Sequence, residues 1–418
     1  VDFVVTAFIL IPRRMDEESM RYESYALAIK RMLLFAGLWP GRASSKIFQL
    51  VVVVHVLTAI STSSAIVNFV FNHITDLSLA TKGLGLAVSF FTIILKVIVF
   101  VINRDHLVGL HTVLETTFRK DLENDELRPI LLSPLNFFYR SALYLSLSTM
   151  AIVPTYLLAP PISIIVQLVR GIRPIKFPLL FPAQYPWIIA GNGGLYVTQY
   201  VIELCAGCAV AGITMATDGL FGFYVFQMSS QFRTISYRIT NLKASDDHCG
   251  VIRECALRHQ TLTHCRDKLE RIYGPIILWM LTTSAMTICA NIFQASQVFL
   301  GYNQRAILVM VYIVMKLIQT LLYGWYGLFL TAESEAFRQS VYCSGWAGSG
   351  ERSFMSNVLI MLMYKPLALT ACHFSVISLD MFIAVVNTAL SYFFLLRTLE
   401  EKKKDGLNNY EDNVPQNQ

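Results

Sequence analysis

Long apolar runs separated by polar stretches dominate this chain. Seven runs reach the roughly 20 apolar residues that a membrane-crossing helix needs: approximately 47–71, 77–102, 136–158, 194–227, 274–300, 305–330 and 374–399. The connections between them are unequal. Residues 72–76 and 301–304 form short turns, whereas 103–135 and 228–273 are long and charged. The pattern predicts an all-α, polytopic membrane protein with seven transmembrane helices and helical extensions at 103–135 and 228–273. A shorter apolar run, 351–364, cannot cross and reads as a half-helix leading into the last span. The chain divides accordingly into an N-terminal segment 1–46, a six-helix region 47–330, an anchor segment 331–373, a last helix 374–399 and a polar tail 400–418.

Composition sharpens this reading. The 418 residues are 55% hydrophobic and 15% charged, with a mean hydropathy of +0.52, whereas soluble domains carry roughly 25% charged residues. So few charges cannot cover two or three soluble cores, which excludes a soluble enzyme. The net charge of +6 does not indicate nucleic acid, because the basic residues form no patch with interleaved aromatics. Their distribution sets orientation instead. Of the 34 lysines and arginines, 23 fall on the side of the N-terminus and 8 on the other, so the positive-inside rule places the N-terminus in the cytoplasm and, after seven spans, the C-terminus outside. That topology is the inverse of a G-protein-coupled receptor's. The third span also ends in LLAPP with no Asp-Arg-Tyr-like triplet, and the last carries NTALSYFF in place of an Asn-Pro-x-x-Tyr turn.

Motifs for catalysis or metal binding do not emerge. There is no phosphate loop, GxSxG, HExxH or dinucleotide fingerprint, and GNGG at 191–194 is a glycine turn before a span. Cys255 and His259 stand one turn apart beside His248, Cys249, His264 and Cys265, a spacing that can ligate metal. No second Cys-x-x-Cys pair completes a finger, however, and the surroundings read as an amphipathic helix. The eight cysteines lack the spacing of a disulfide framework and read as reduced thiols. At the start, VDFVVTAFIL precedes Arg13 and Arg14, the reverse of a signal peptide's order, and residues 1–14 read as an artefact of where translation is taken to begin. The halves show no self-similarity of the kind that marks transporters.

Ionisable residues inside a bilayer are costly and face a bundle interior or a water-filled cavity. His55, Lys96, Glu203, Asp218, Lys316 and Asp380 are the candidates. Lys96 lies near the end of its span and reads as a lysine that snorkels to the interface. Glu203 and Asp218, about four turns apart, share one face and serve either inter-helix hydrogen bonds or a binding cavity. On the last span Asp380, Asn387, Ser391 and Thr398 recur at intervals of seven, four and seven, which aligns them at 100° per residue. Ala384 fills the gap, and Leu395 with Leu399 one turn on would make a hydrophobic plug. Two readings remain open: a water-lined path with an apolar constriction, or a polar face packed on neighbouring helices.

Particular segments resemble the insect odorant receptor family: TALSYFFLLRTL after HFSVISLDMF, the KPLALTA linker before it, LLYGWYG and AES within 321–334, and the helix CALRHQTLTHCRDKLERIYGP. The similarity covers roughly residues 21–400. The sister gustatory receptors usually end in a Thr-Tyr and Gln-Phe pattern, whereas Ser391–Tyr392 here leads into LLRTL. The resemblance implies a tuning subunit of a heterotetrameric, ligand-gated, non-selective cation channel in the plasma membrane of sensory neurons. Its partner would be a shared co-receptor, its ligand a volatile odorant, and no cofactor would be required. The co-receptor itself carries a longer second cytoplasmic segment than 228–273. The resemblance further implies a pocket among spans two, three, four and six, and a central pore lined by the last spans with Leu395 and Leu399 at the gate and Thr398 close by.

Within that frame, depth in the membrane assigns the pocket wall to Phe90 and Phe91 on span two, Ser148, Ile152 and Tyr156 on span three, Tyr200, Glu203 and Gly207 on span four, and Met310 and Val314 on span six. Three departures from the family stand out: Glu203 where Gln is frequent, Leu328 where Asn follows the glycine of the sixth-span motif, and a tail beyond the last span. That tail is polar enough to remain disordered. Its Lys402, Lys403 and Lys404 would stand at the outer mouth, offset by Glu400, Glu401 and Asp405.

Overall fold

A computed structural model describes residues 17–41, 46–175, 177–187, 193–242, 247–299, 305–346 and 352–412. Among these residues the chain forms eleven helices and one small hairpin: α1 (Glu17–Phe35), α2 (Lys46–Asn72), α3 (Leu77–Ile102), α4 (Arg104–Leu122), α5 (Arg128–Leu132), α6 (Leu135–Val169), α7 (Gly193–Thr240), α8 (His248–Phe299), α9 (Arg305–Tyr342), α10 (Arg352–Leu362), β1 (Thr370–Ala371), β2 (Ser375–Val376) and α11 (Leu379–Asp412). Seven of the helices, α2, α3, α6, α7, α8, α9 and α11, are long and apolar enough to cross a membrane.

Apolar span and charged connection are not separate units in the middle of the chain. Helix α7 has 48 residues and α8 has 52, and at about 1.5 Å per residue each exceeds twice the roughly 30 Å of bilayer hydrocarbon. The charged stretch 228–273 is therefore the continuation of two membrane helices beyond the bilayer. Nearly every residue of α7 from Ala209 to Phe232 is buried, which makes it the central post. On α4, Leu107, Leu110, Leu114 and Phe118 recur at helical spacing and are buried, closing the core at this end. Tyr22 of α1 stacks on Phe118 with ring centroids 4.7 Å apart, and Phe118 meets Phe226 at 5.5 Å. Arg258 grips the buried Asp121 with one nitrogen at 2.9 and 2.7 Å, and Arg233 pairs with Glu333 at 2.5 Å.

Four expectations change here. The third span is longer than 136–158: α6 continues through Pro160 and Pro161 to Val169. The two prolines remove backbone donors, but the apolar residues after them keep the helix going. The run 351–364 does not feed the last span directly. Helix α10 ends at Leu362, and the hairpin intervenes, with Thr370 opposite Val376 and Ala371 opposite Ser375. Thr370 anchors this hairpin to α8 by donating from its backbone nitrogen and hydroxyl to Glu270 at 2.5 and 2.9 Å. The tail is not disordered throughout, since α11 runs on to Asp412, with Arg397 and Glu401 paired across one turn at 3.0 Å, as good helix formers at that spacing permit. The expectation for residues 1–14 falls outside the described residues, as does the short connection expected at 301–304. The fourth change concerns Lys96 and belongs with the cavity.

Candidate functional site: an intramembrane cavity and the last helix

A mainly apolar cavity of about 100 Å³ lies between α3, α6, α7 and α9, the second, third, fourth and sixth spans. Its walls include Leu86 and Phe90 from α3, Ile152, Val153 and Tyr156 from α6, Leu204, Gly207 and Ala211 from α7, and Tyr312 and Met315 from α9. Leu180 and Phe181 close it from the connection between α6 and α7. Phe181 sits edge-on to Phe90 at 5.3 Å and tilted on Tyr156 at 5.7 Å. Gly207 lies under the Phe181 ring, 3.4 Å from where a Cβ would stand.

Glu203 holds that closing segment in position. Its carboxyl accepts from the backbone N–H groups of Leu180 and Phe181 at 2.9 and 3.2 Å and from the Tyr185 phenol at 2.9 Å. Burial, with this carboxyl alongside, pushes the Tyr185 phenol well above its usual range, so it stays protonated and donates. The segment is also tied to α2, where Gln184 donates its backbone N–H to the Ala65 carbonyl at 2.9 Å and Asn68 donates to the Gln184 carbonyl at 2.9 Å. Replacing Glu203 by Ala removes three hydrogen bonds behind the closure, and the half-maximal ligand concentration is expected to rise roughly tenfold or more. Glu203→Gln, which keeps one acceptor oxygen, should fall between; concentration–response curves for the three proteins check the order.

Below the apolar part lies a polar floor. Asp218 of α7 accepts from Lys96 Nζ at 2.5 Å and the Tyr323 phenol at 2.7 Å through Oδ1, and from Gln319 Nε2 at 2.5 Å through Oδ2. Lys96 is wholly buried, which corrects the expectation that it snorkels. A carboxylate on the neighbouring helix reaches it inside the bundle, so the chain has no reason to extend to the interface. The sequence carried the signal, because Lys96 and Asp218 are opposite charges on different spans. Asp218 and Glu203 both point inward, one to the floor and the other to the closing segment.

The assigned wall residues separate into three groups. Phe90, Ile152, Tyr156 and Gly207 line the cavity. Tyr200 and Glu203 border it, Tyr200 by donating to the Leu157 carbonyl at 2.9 Å and Glu203 as described. Ser148, Phe91, Met310 and Val314 do not line it. Ser148 turns its hydroxyl to the Leu145 carbonyl of its own helix at 2.9 Å, and Phe91, Met310 and Val314 are on outward faces. On α9 the inward face is instead Tyr312, Met315, Lys316 and Gln319, a rotation that the polar spacing of Lys316, Gln319 and Thr320 marks in the sequence. Among the described residues, no three of the His, Cys, Asp and Glu side chains gather for a metal. Cys255 is buried and His259 lies stacked on Phe337 with centroids 5.6 Å apart.

On α11 the packing face is apolar. Met381 is buried, and Val385, Ala389, Phe393 and Leu396 pack on Ala285, Ile288 and Cys289 of α8 and Leu317 of α9. At 100° per residue, Asp380, Asn387, Ser391 and Thr398 stand on the opposite side, and all four are exposed in the single chain, as are Leu395 and Leu399. Two of them bond to their own helix: Ser391 donates to the Asn387 carbonyl at 2.9 Å and Thr398 to that of Phe394 at 2.8 Å. A packed polar face within the same chain therefore does not account for the stripe.

Comparison with known proteins follows the same outline. The chain is similar to Drosophila melanogaster odorant receptor 13a, at 28% identity over 260 residues, 56% of this chain and 60% of that protein, and to odorant receptor 47a of the same fly, at 25%, covering 53% and 58%. It thus spans about three-fifths of the length of these curated relatives. The odorant receptor coreceptor of Anopheles gambiae matches at 26% over 34% of this chain and 30% of its own. Among solved structures, the insect olfactory receptor OR5 from Machilis hrabei superposes with a TM-score of 0.72 at 15% identity, over 91% of this chain and 99% of that one, a likeness of fold. The same receptor in complex with eugenol superposes equally well. The family model of the 7tm odorant receptor matches residues 76–390, and so the chain, a multi-pass membrane protein by its seven apolar helices, belongs to the 7tm odorant receptor family.

Proposed function

We propose that this chain is a tuning subunit of an odorant-gated, non-selective cation channel, assembled with a co-receptor subunit in the plasma membrane of sensory neurons. The observation that carries the proposal is the mainly apolar cavity among α3, α6, α7 and α9, joined through α9 to the start of α11. The eugenol complex of the solved relative supports an odorant as ligand, and the coreceptor match supports the partner. The charge distribution supports a cytoplasmic N-terminus and an outward C-terminus.

In this reading a volatile ligand buries apolar surface in the cavity, at about 25 cal/mol per Å², and shape sets its selectivity, one methylene contributing about 1–3 kcal/mol. Ligand binding opens the channel only if the open state binds it more tightly. Helix α9 bears Tyr312, Met315 and Gln319 on the cavity and contacts the hairpin end of α11, so a shift of α9 moves α11. The exposed stripe of Asp380, Asn387, Ser391 and Thr398 lines the shared pore, with Leu395 and Leu399 as its gate.

Whole-cell current tests the reading. Cells expressing the chain with an insect co-receptor should give a rapid volatile-evoked cation current that persists when G-protein signalling is blocked. Current lost under the block would overturn the channel mechanism. Exchanging Leu395 for Ser should raise the current without ligand several-fold at equal surface expression; an unchanged basal current would remove Leu395 from the gate.

A further inference from the structure

The floor of the cavity has more amine donors than carboxylates to receive them. Lys96 and Lys316 both line it, and Asp218 already serves Lys96, Tyr323 and Gln319. Gln319 is oriented by that bond. With its NH2 group given to Asp218, its carbonyl oxygen turns to Lys316 Nζ at 3.2 Å. Beyond this, Lys316 has the ring of Tyr312, 5.9 Å from its centroid. Among the described residues, no carboxylate stands within ion-pair distance of it. A lysine amine carries at least two N–H donors whatever its charge and Gln319 takes one, so Lys316 keeps a donor that no group among the described residues takes.

Neighbouring hydroxyls keep lone pairs, but among the described residues Ser89, Thr92, Thr149 and Tyr312 bond to other partners and none is hydrogen-bonded to Lys316 Nζ. Ser89 and Tyr312 bond to one another at 2.6 Å. Thr92 accepts from Trp279 at 2.9 Å and donates to the Val88 carbonyl at 2.7 Å, while Thr149 donates to the Leu145 carbonyl at 2.8 Å. An apolar ligand without an oxygen would leave the Lys316 amine unserved in a buried site, which is costly.

We propose that the cavity selects small apolar ligands that carry a carbonyl-type oxygen, an aldehyde, ketone, ester or carboxylate, with the Lys316 amine donating to that oxygen and the apolar body lying against Phe90, Tyr156 and Phe181. This rests on the reading of the cavity as the ligand site. It adds the chemical class of the ligand and the residue that sets it.

The test uses two probes of matched shape, cyclopentanone and methylenecyclopentane, which differ only in a carbonyl oxygen against a CH2 group. Each is added to the full chain purified in detergent, and the rise in melting midpoint with concentration gives half-saturation. The ketone is expected to half-saturate at roughly tenfold lower concentration, the scale of one buried hydrogen bond. Lys316→Met should erase the difference, and Lys316→Arg should retain part of it. Equal half-saturation for both probes in the unaltered protein overturns the proposal, as does a difference that survives in Lys316→Met or no shift with either probe. Recording current with the same probes separates the two readings. A ketone-selective melting shift with no current in assembled, surface-expressed receptors would count against the channel and leave the ligand class standing, whereas current without ketone selectivity would do the reverse.

Discussion

Asp218→Ala is expected to remove most of the protein from the cell surface. The carboxylate is 2% exposed and its partner Lys96 wholly buried, and breaking a buried pair by deleting one member costs about 3–5 kcal/mol because the other charge is left without compensation. Lys96 cannot relax toward the interface from its buried position between α3 and α7, and Tyr323 and Gln319 lose their acceptor as well. Deleting both charges should be far milder. Lys96→Met combined with Asp218→Asn retains an amide oxygen for Tyr323 and is expected to recover much of the surface expression. Surface biotinylation of the two variants checks the order; normal surface levels for Asp218→Ala would contradict the buried pair.

Gly327→Ala should separate ligand binding from current. A Cβ at Gly327 would overlap the carbonyl oxygen of Ile377, and one at Gly324 would stand 2.6 Å from that of Ser378. Both obstacles are backbone, so no side chain can turn aside, and the gap between α9 and the residues that open α11 must widen. Such overpacking costs typically about 1–3 kcal/mol, against a gain of up to about 1 kcal/mol from replacing glycine inside a helix. The cavity lies further along α9 and is not touched. The expected result is ligand-induced thermal stabilisation close to that of the unaltered protein, with evoked current reduced several-fold. Gly85→Ala is the control, because its Cβ would meet only Asn291 Nδ2 at 3.9 Å. Equal loss of current in both variants would deny the α9–α11 contact its part in opening.

Helix class, span number and the last-helix stripe were legible because each depends on a periodicity that the chain repeats for twenty residues or more. The family was legible from short segments around α9 and α11. Side-chain partners were harder to read. Lys96 looked like an interfacial lysine because position along one helix says nothing about Asp218 on another. Depth alone, which is blind to rotation, points to Met310 and Val314, whereas the inward face of α9 lies on the side of Lys316 and Gln319. Phe181 belongs to a connection, which periodicity does not reach, and the backbone N–H groups of Leu180 and Phe181, donating to Glu203, help to bring it over the cavity.

The length of α7 and α8 bears on how sequences of this kind can drift. Each helix links the membrane region to the buried ion pairs of the far end without a break, so one inserted residue would turn everything beyond it by 100°. Tyr273, whose phenol donates to the Thr217 carbonyl at 2.8 Å, would lose register with α7, and Arg258 would swing away from Asp121. Gains and losses of single residues should therefore collect in the connection between α7 and α8, while both shafts keep a fixed count between relatives.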